Sequence, residues 1–187
     1  MSSIRSLAVF CGSRSGADPL YEQHARELGT QLARNGITLV YGGGSKGLMG
    51  AVADAVMEGG GTVIGVIPEV LVQWEHQHEG ITQLHVVPDM HTRKKRMYEL
   101  CDAALVLPGG NGTLDELFEL LTWNTLQIHN KPIFLLNSNG YYRHLAAHME
   151  QMYRQEFLYE PPADRMLMVD NPAQLFSGPL SFASDKT

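Results

Sequence analysis

A chain of 187 residues with 44 % hydrophobic content suits one domain, residues 1–187, with a sizeable core. Its net charge of −6, from 14 basic and 20 acidic side chains, argues against a nucleic-acid binder, which would carry a basic excess. No apolar run is long enough to span a bilayer, and Met1 to Arg5 leads straight into a strand-like run without signal-peptide features, so no membrane partner and a cytoplasmic location are expected.

In chain order, Ser6 to Phe10 reads as a buried strand, followed by the glycine- and serine-rich turn Cys11 to Gly16. Asp18-Pro19 supplies a cap and a first-turn proline for a helix that runs to about Asn35 and stops at Gly36. Thr38 to Tyr41 is a second strand, then comes Gly42-Gly43-Gly44-Ser45-Lys46-Gly47, then a helix from about Leu48 to Glu58. Thr62 to Ile67 is a third strand; from Glu69 to Gln83 the pattern blurs, and within it Trp74 to Gly80 reads as a polar loop near the site. Leu84 to Val87 is a short strand, Met90 to Cys101 a helix and Ala103 to Leu107 a fifth strand. A helix to about Gln127, a strand over 132–136, a helix from Tyr141 to about Tyr153 and an edge strand over 166–169 complete the set, with a frayed tail at about 177–187. Short strands alternating with helices predict an α/β fold: a single Rossmann-like doubly wound parallel sheet with helices on both faces. Cys11 and Cys101 form no C-x-x-C pair and read as reduced thiols.

Three glycine-rich turns follow strands, after Phe10, Tyr41 and Leu107, and all would open on the carboxyl edge of the sheet. The third, Pro108-Gly109-Gly110-Asn111-Gly112-Thr113, precedes a helix and so offers backbone N–H groups and a helix dipole to an anion. A competing reading is local: Thr113 and Glu116 match a T-x-x-E capping box.

The helix beginning at Met90 carries Arg93-Lys94-Lys95-Arg96 in its first turns, against its own dipole. Lys94 and Lys95 fit a solvated face. Arg93 instead falls on the apolar stripe with Met97 and Leu100, so its guanidinium should point inward and need an acceptor such as phosphate or Glu116. Asp115, about 100° around the helix from Glu116, should point away.

Pro108-Gly109-Gly110-x-Gly112-Thr113-x-x-Glu116, preceded by Met90-His91-x-Arg93-Lys94 and by Tyr41-Gly42-Gly43-Gly44-x-x-Gly47-Leu48-Met49-Gly50, resembles the Lonely Guy (LOG) family from the first strand to about Phe157. The resemblance implies a cytokinin riboside 5'-monophosphate phosphoribohydrolase, of a kind often labelled possible lysine decarboxylase. Such an enzyme hydrolyses the N-glycosidic bond of AMP or a prenylated AMP to free base and ribose 5-phosphate. It further implies Arg93 and Glu116 as the catalytic pair and a homodimer. Substrate contacts would fall on Glu75, Arg93, Lys94, Gly109, Gly110, Asn111, Gly112, Thr113 and Thr122. Gly43 and Gly44 of the second glycine turn are further candidate contacts, and no cofactor or metal is expected.

The chemistry fits those residue types. Loss of the base leaves an oxocarbenium-like ribose, which a carboxylate stabilises while orienting water. Arginine stays protonated, so Arg93 suits positioning and electrostatic support rather than acid catalysis. Asp89 and His91 are the nearby candidates for protonating the base. A pyridoxal-phosphate decarboxylase would need a Schiff-base lysine, for which Lys46 is the sole candidate and lacks context. A non-catalytic nucleotide carrier, or an AMP nucleosidase without cytokinin preference, remains an alternative. His76, His78, His144 and His148 are expected to face solvent, Trp74 to lie in the loop near the site, and Trp123 to serve as core or subunit contact.

Overall fold

The computed structural model describes residues 4–72 and 76–178. Its strands are β1 (Ser6–Phe10), β2 (Thr38–Tyr41), β3 (Val63–Pro68), β4 (Gln83–Val87), β5 (Ala103–Val106), β6 (Ile133–Leu136) and β7 (Leu167–Val169). The helices are α1 (Pro19–Arg34), α2 (Gly47–Glu58), α3 (Glu69–Val72), α4 (Met90–Leu100), α5 (Asn111–Thr125), α6 (Arg143–Arg154), α7 (Pro162–Arg165) and α8 (Pro172–Ser177), with a 3-10 turn at Ser138–Gly140.

Alternation of apolar side chains puts a core on each face of the sheet. Leu7 and Val9 of β1, Leu39 and Tyr41 of β2, and Leu105 of β5 meet α1 and α2 on one side. Ala8 and Phe10, Val40, and Ala104 and Val106 meet α4 and α5 on the other. All pairings are parallel, in the order β4-β3-β2-β1-β5-β6-β7. The chain therefore winds outward from β1 to β4, returns to place β5 against β1, and winds the other way. The β1/β5 junction is the topological switch, where the ends of two strands diverge and leave a crevice. This is the doubly wound fold the alternation predicts.

Three short helices escaped the pattern, because four to six residues are too few for periodicity. α3 occupies part of the blurred stretch. α8 is defined by its cap: Asn171 Oδ1 accepts from Gln174 N at 3.1 Å, while Gln174 Oε1 accepts from Asp170 N at 2.8 Å. Ser177 thus ends a helix rather than beginning a frayed tail, and residues 179–187 lie outside the described set. α5 starts at Asn111 with Gly110 as its cap and no side-chain capping bond. Thr113 therefore sits inside the first turn, and the capping-box reading is overturned: a T-x-x-E box needs threonine at the cap itself. Among the described residues, no helix is long and apolar enough to cross a membrane.

Candidate active site

A cavity of ≈ 300 Å³ opens at the β1/β5 switch. All three glycine turns reach it: Gly12 and Ser13 after β1, Gly42 after β2, and Gly110, Asn111, Gly112 and Thr113 at the start of α5. Hydrogen bonds join the first turn to the other two, since Gly12 N donates to Pro108 O at 3.0 Å and Gly12 O accepts from Leu48 N at 3.1 Å. The first N–H groups of a helix have no partner within it, so the α5 end presents donors and positive dipole charge to an anion. Gly109 lies just behind, where a Cβ would fall 2.1 Å from Thr113 Oγ1; glycine is what lets the turn close under that side chain.

Arg93 and Glu116, 23 positions apart, line this same cavity. Asp89 starts α4 by accepting from Thr92 N at 2.8 Å, which sets the rotation of the helix. Arg93 is then turned inward and is only 4 % exposed. Its Nε donates to Val66 O at 3.1 Å and its Nη2 to Gly42 O at 2.9 Å, tying it to the ends of β3 and β2. An inward arginine needs acceptors, and two of them are carbonyls at the sheet edge. Gly42 is glycine for a matching reason: a Cβ there would lie 2.1 Å from Arg93 Nη2. Glu116, 9 % exposed, faces the cavity from the first turns of α5, while Asp115 points the other way as expected.

Asp115 has a definite partner, which corrects the expectation for Lys94. Lys94 is not on a solvated face; its side chain is 8 % exposed and its Nζ lies 3.0 Å from both Asp115 Oδ2 and Glu119 Oε2. Burial disfavours the charged amine, but hydrogen bonds to Glu119 and Asp115 outweigh it and its pKa is raised. Lys94 thus bridges α4 to α5 and lies outside the cavity lining. Lys95 is exposed.

Other expected contacts separate. Thr122 lines a second cavity, of ≈ 240 Å³, with Phe118, Leu121, Leu126, Phe157 and Tyr159, and its Oγ1 donates to Phe118 O. Gly43 and Gly44 are buried beside the cavity rather than lining it, for Gly44 pairs with Gln77 in an isolated bridge and Gly43 O accepts from His78 N at 2.9 Å. Gly42 takes the lining position because it comes first after the strand end. Glu75 and Trp74 lie outside the described residues. Met90, Leu71 and Cys11 also line the cavity and were not picked out from the sequence as site residues; a lone apolar side chain carries no motif signal.

Asp89 is a poor proton donor: its capping bond from Thr92 lowers its pKa and keeps it ionised. His91 is exposed. His78 is not solvent-facing, because its Nε2 lies 2.9 Å from Asp54 Oδ1 and its side chain is 14 % exposed; two residues meeting across 24 positions leave no local trace. His76, His144 and His148 are exposed, and Trp123 packs on Tyr98 with ring centroids 4.6 Å apart. Lys46 is exposed and outside the lining.

Sheet order and cavity define the class: a Rossmann-like α/β protein with its ligand pocket at the switch point. Solved structures agree on the fold. The molybdenum cofactor carrier protein from Chlamydomonas reinhardtii superposes with TM-score 0.72 at 21 % identity, covering 92 % of this chain and 93 % of that one. The molybdenum cofactor binding protein from Rippkaea orientalis gives 0.70 at 20 % identity over 95 % and 96 %.

Sequence relatives are more specific. A family profile described as possible lysine decarboxylase matches residues 49–178. A cytokinin riboside 5'-monophosphate phosphoribohydrolase of Rhodococcoides fascians is 47 % identical over 88 % of this chain and 83 % of its own. One from Arabidopsis thaliana is 46 % identical over 91 % and 78 %. The chain belongs to this LOG family.

Proposed function

We propose that the protein hydrolyses the N-glycosidic bond of a nucleoside 5'-monophosphate, AMP or a prenylated AMP, to free base and ribose 5-phosphate. The observation that carries the assignment is the meeting of Arg93 and Glu116 in one cavity whose rim is three glycine turns. The α5 turn, residues 110–113, grips the 5'-phosphate with amides and the helix dipole. The Glu116 carboxylate stabilises positive charge that develops on the ribose and orients the attacking water. Arg93, fixed by two carbonyls, supplies a permanent cation that positions substrate and supports negative charge on the departing base. Identity of 47 % with a named phosphoribohydrolase over most of both chains supports the same chemistry.

Residues 1–187 act in this reading as one nucleotide-binding domain, located in the cytoplasm. Two copies associate through the second cavity, whose lining includes Leu126, Phe157 and Tyr159 at 64 % exposure or more; apolar patches of this kind mark interaction sites.

The test is direct. Incubated with a panel of nucleoside monophosphates, nucleosides and diphosphates, the protein should free base from monophosphates alone, followed by chromatography. Arg93→Ala and Glu116→Ala should remain folded and lose that release. Full activity in either variant refutes the pair, whereas AMP binding without adenine release would mark a carrier.

A further inference from the structure

Three consecutive carbonyls behind the glycine turn each receive a separate donor. Tyr142 Oη donates to Leu107 O at 2.6 Å, Gly12 N to Pro108 O at 3.0 Å, and Tyr141 Oη to Gly109 O at 2.6 Å. The two phenols come from the segment between β6 and α6, which supplies nothing to the cavity lining.

That segment is itself held. Asn139 and Gly140 adopt left-handed backbone, with φ of 49° and 68°, which turns the chain sharply after β6. Asp18, Tyr21 and His24, spaced by three along the start of α1, form one stripe against it. Asp18 Oδ2 accepts from Asn139 Nδ2 at 2.8 Å. The Tyr21 ring meets Tyr141 edge-on with centroids 5.5 Å apart, and His24 Nδ1 lies 2.7 Å from Ser138 Oγ. Asn137 Oδ1 accepts from Tyr142 N at 2.8 Å, and Tyr142 is 2 % exposed. Burial, with Tyr141 and Cys11 adding to it, pushes the Tyr142 phenol's pKa up, so it remains a donor.

The peptide unit is planar and trans, so its C=O and N–H point in opposite directions. Fixing Gly109 O toward Tyr141 therefore fixes Gly110 N–H the other way, and Gly110 lines the cavity. This peptide lies between two glycines and has no Cβ on either side to limit its rotation. Fixing Leu107 O through Tyr142 anchors the strand end from which the turn springs.

The geometry points to Tyr141 and Tyr142 as positioning residues for the phosphate-binding turn, each acting through a loop carbonyl to aim amides they do not touch. The inference rests on the phosphate role proposed above for residues 110–113.

Tyr141→Phe and Tyr142→Phe test it, since both keep the ring and remove only the donor. Backbone amide order parameters over 109–113 should fall in each variant from the rigid value of about 0.85 toward about 0.6, with those in β1 and β2 unchanged. KM for AMP should rise about tenfold while kcat stays within about threefold, the pattern of lost uniform binding. Unchanged order parameters over 109–113 in both variants overturn the positioning role, as does a fall with KM and kcat both unaltered. A purely structural role would appear as an equal fall throughout the sheet, which also overturns it. Should Tyr142→Phe fail to fold, the half-exposed Tyr141 decides alone. If the parent protein frees no base from AMP, the functional assignment fails instead, and the order parameters over 109–113 settle the tyrosines separately.

Discussion

The two cavities share one helix and are built in opposite ways. At the amino end of α5, the ≈ 300 Å³ cavity is lined by glycines of three turns, by strand ends and by a helix terminus, together with apolar Met49, Leu71 and Met90, and Arg93 and Glu116 are its charged side chains among the described residues. Toward the carboxyl end, the ≈ 240 Å³ cavity is walled by side chains, chiefly Phe118, Leu121, Leu126, Met149, Met152 and Phe157. Where a lining glycine abuts a fixed side chain, as Gly42 abuts Arg93, the wall depends on the missing Cβ and tolerates no addition, whereas Gly110 and Gly112 have open space beside them. A side-chain-built wall depends on apolar area alone and tolerates exchange.

The largest effect should therefore come from one added methyl group in the first cavity. Gly42→Ala places a Cβ 2.1 Å from Arg93 Nη2 and 3.0 Å from Met49 Sδ. The guanidinium is held by Gly42 O and Val66 O, so it must leave one of them to make room. Displacing a positioning group by about 1 Å costs on the order of 100-fold in rate, and base release from AMP should fall by that factor with the fold retained. Activity within about threefold of the parent would show that the arginine is not held where catalysis needs it.

The same contrast explains what could be read without coordinates. Three glycine turns after three strands forecast both the sheet edge and the first cavity, because glycine at a strand end has a specific steric purpose. Arg93 was legible because a cation on an apolar stripe breaks a local rule. Lys94 was not: its partners, Asp115 and Glu119, sit on another helix, and nothing near it in sequence shows that α4 and α5 face each other there. The surroundings of Thr122 were hidden for a similar reason. It follows Glu116 by six residues on one helix, and only the packing of α6 and residues 157–165 against α5 reveals that its surroundings form a separate groove. Arg93's carbonyl partners belong to strand ends, whose groups become available only once the sheet has an edge.

Lys94 sits between the two regions and gives a smaller, different signature. In Lys94→Met the aliphatic stem is kept and the charge lost, leaving Glu119 largely buried, at 20 % exposure, without its cation. Breaking a mostly buried pair while Asp115 stays 62 % exposed should cost about 2 kcal/mol, below the range for fully buried pairs. Chemical denaturation should record that loss with KM for AMP unchanged. A tenfold rise in KM at unaltered stability would return Lys94 to the substrate, as the family resemblance implies.

The smallest expected change lies on the second cavity. Phe157 is 80 % exposed, and its backbone N donates to Met152 O at 2.9 Å, a bond that any side chain leaves in place. Phe157→Asp thus removes apolar surface and adds a charge without touching the fold, for which a change within about 0.5 kcal/mol is the norm. If the groove joins two copies, a carboxylate there must be desolvated on association, which is unfavourable without a partner. Light scattering should then report a dimer for the parent and a monomer for the variant, with superimposable circular-dichroism spectra. A parent already monomeric at the concentrations used for activity would remove the proposed role of this groove. The cavity at the amino end would then stand as the functional end of α5, because no described residue lines both cavities.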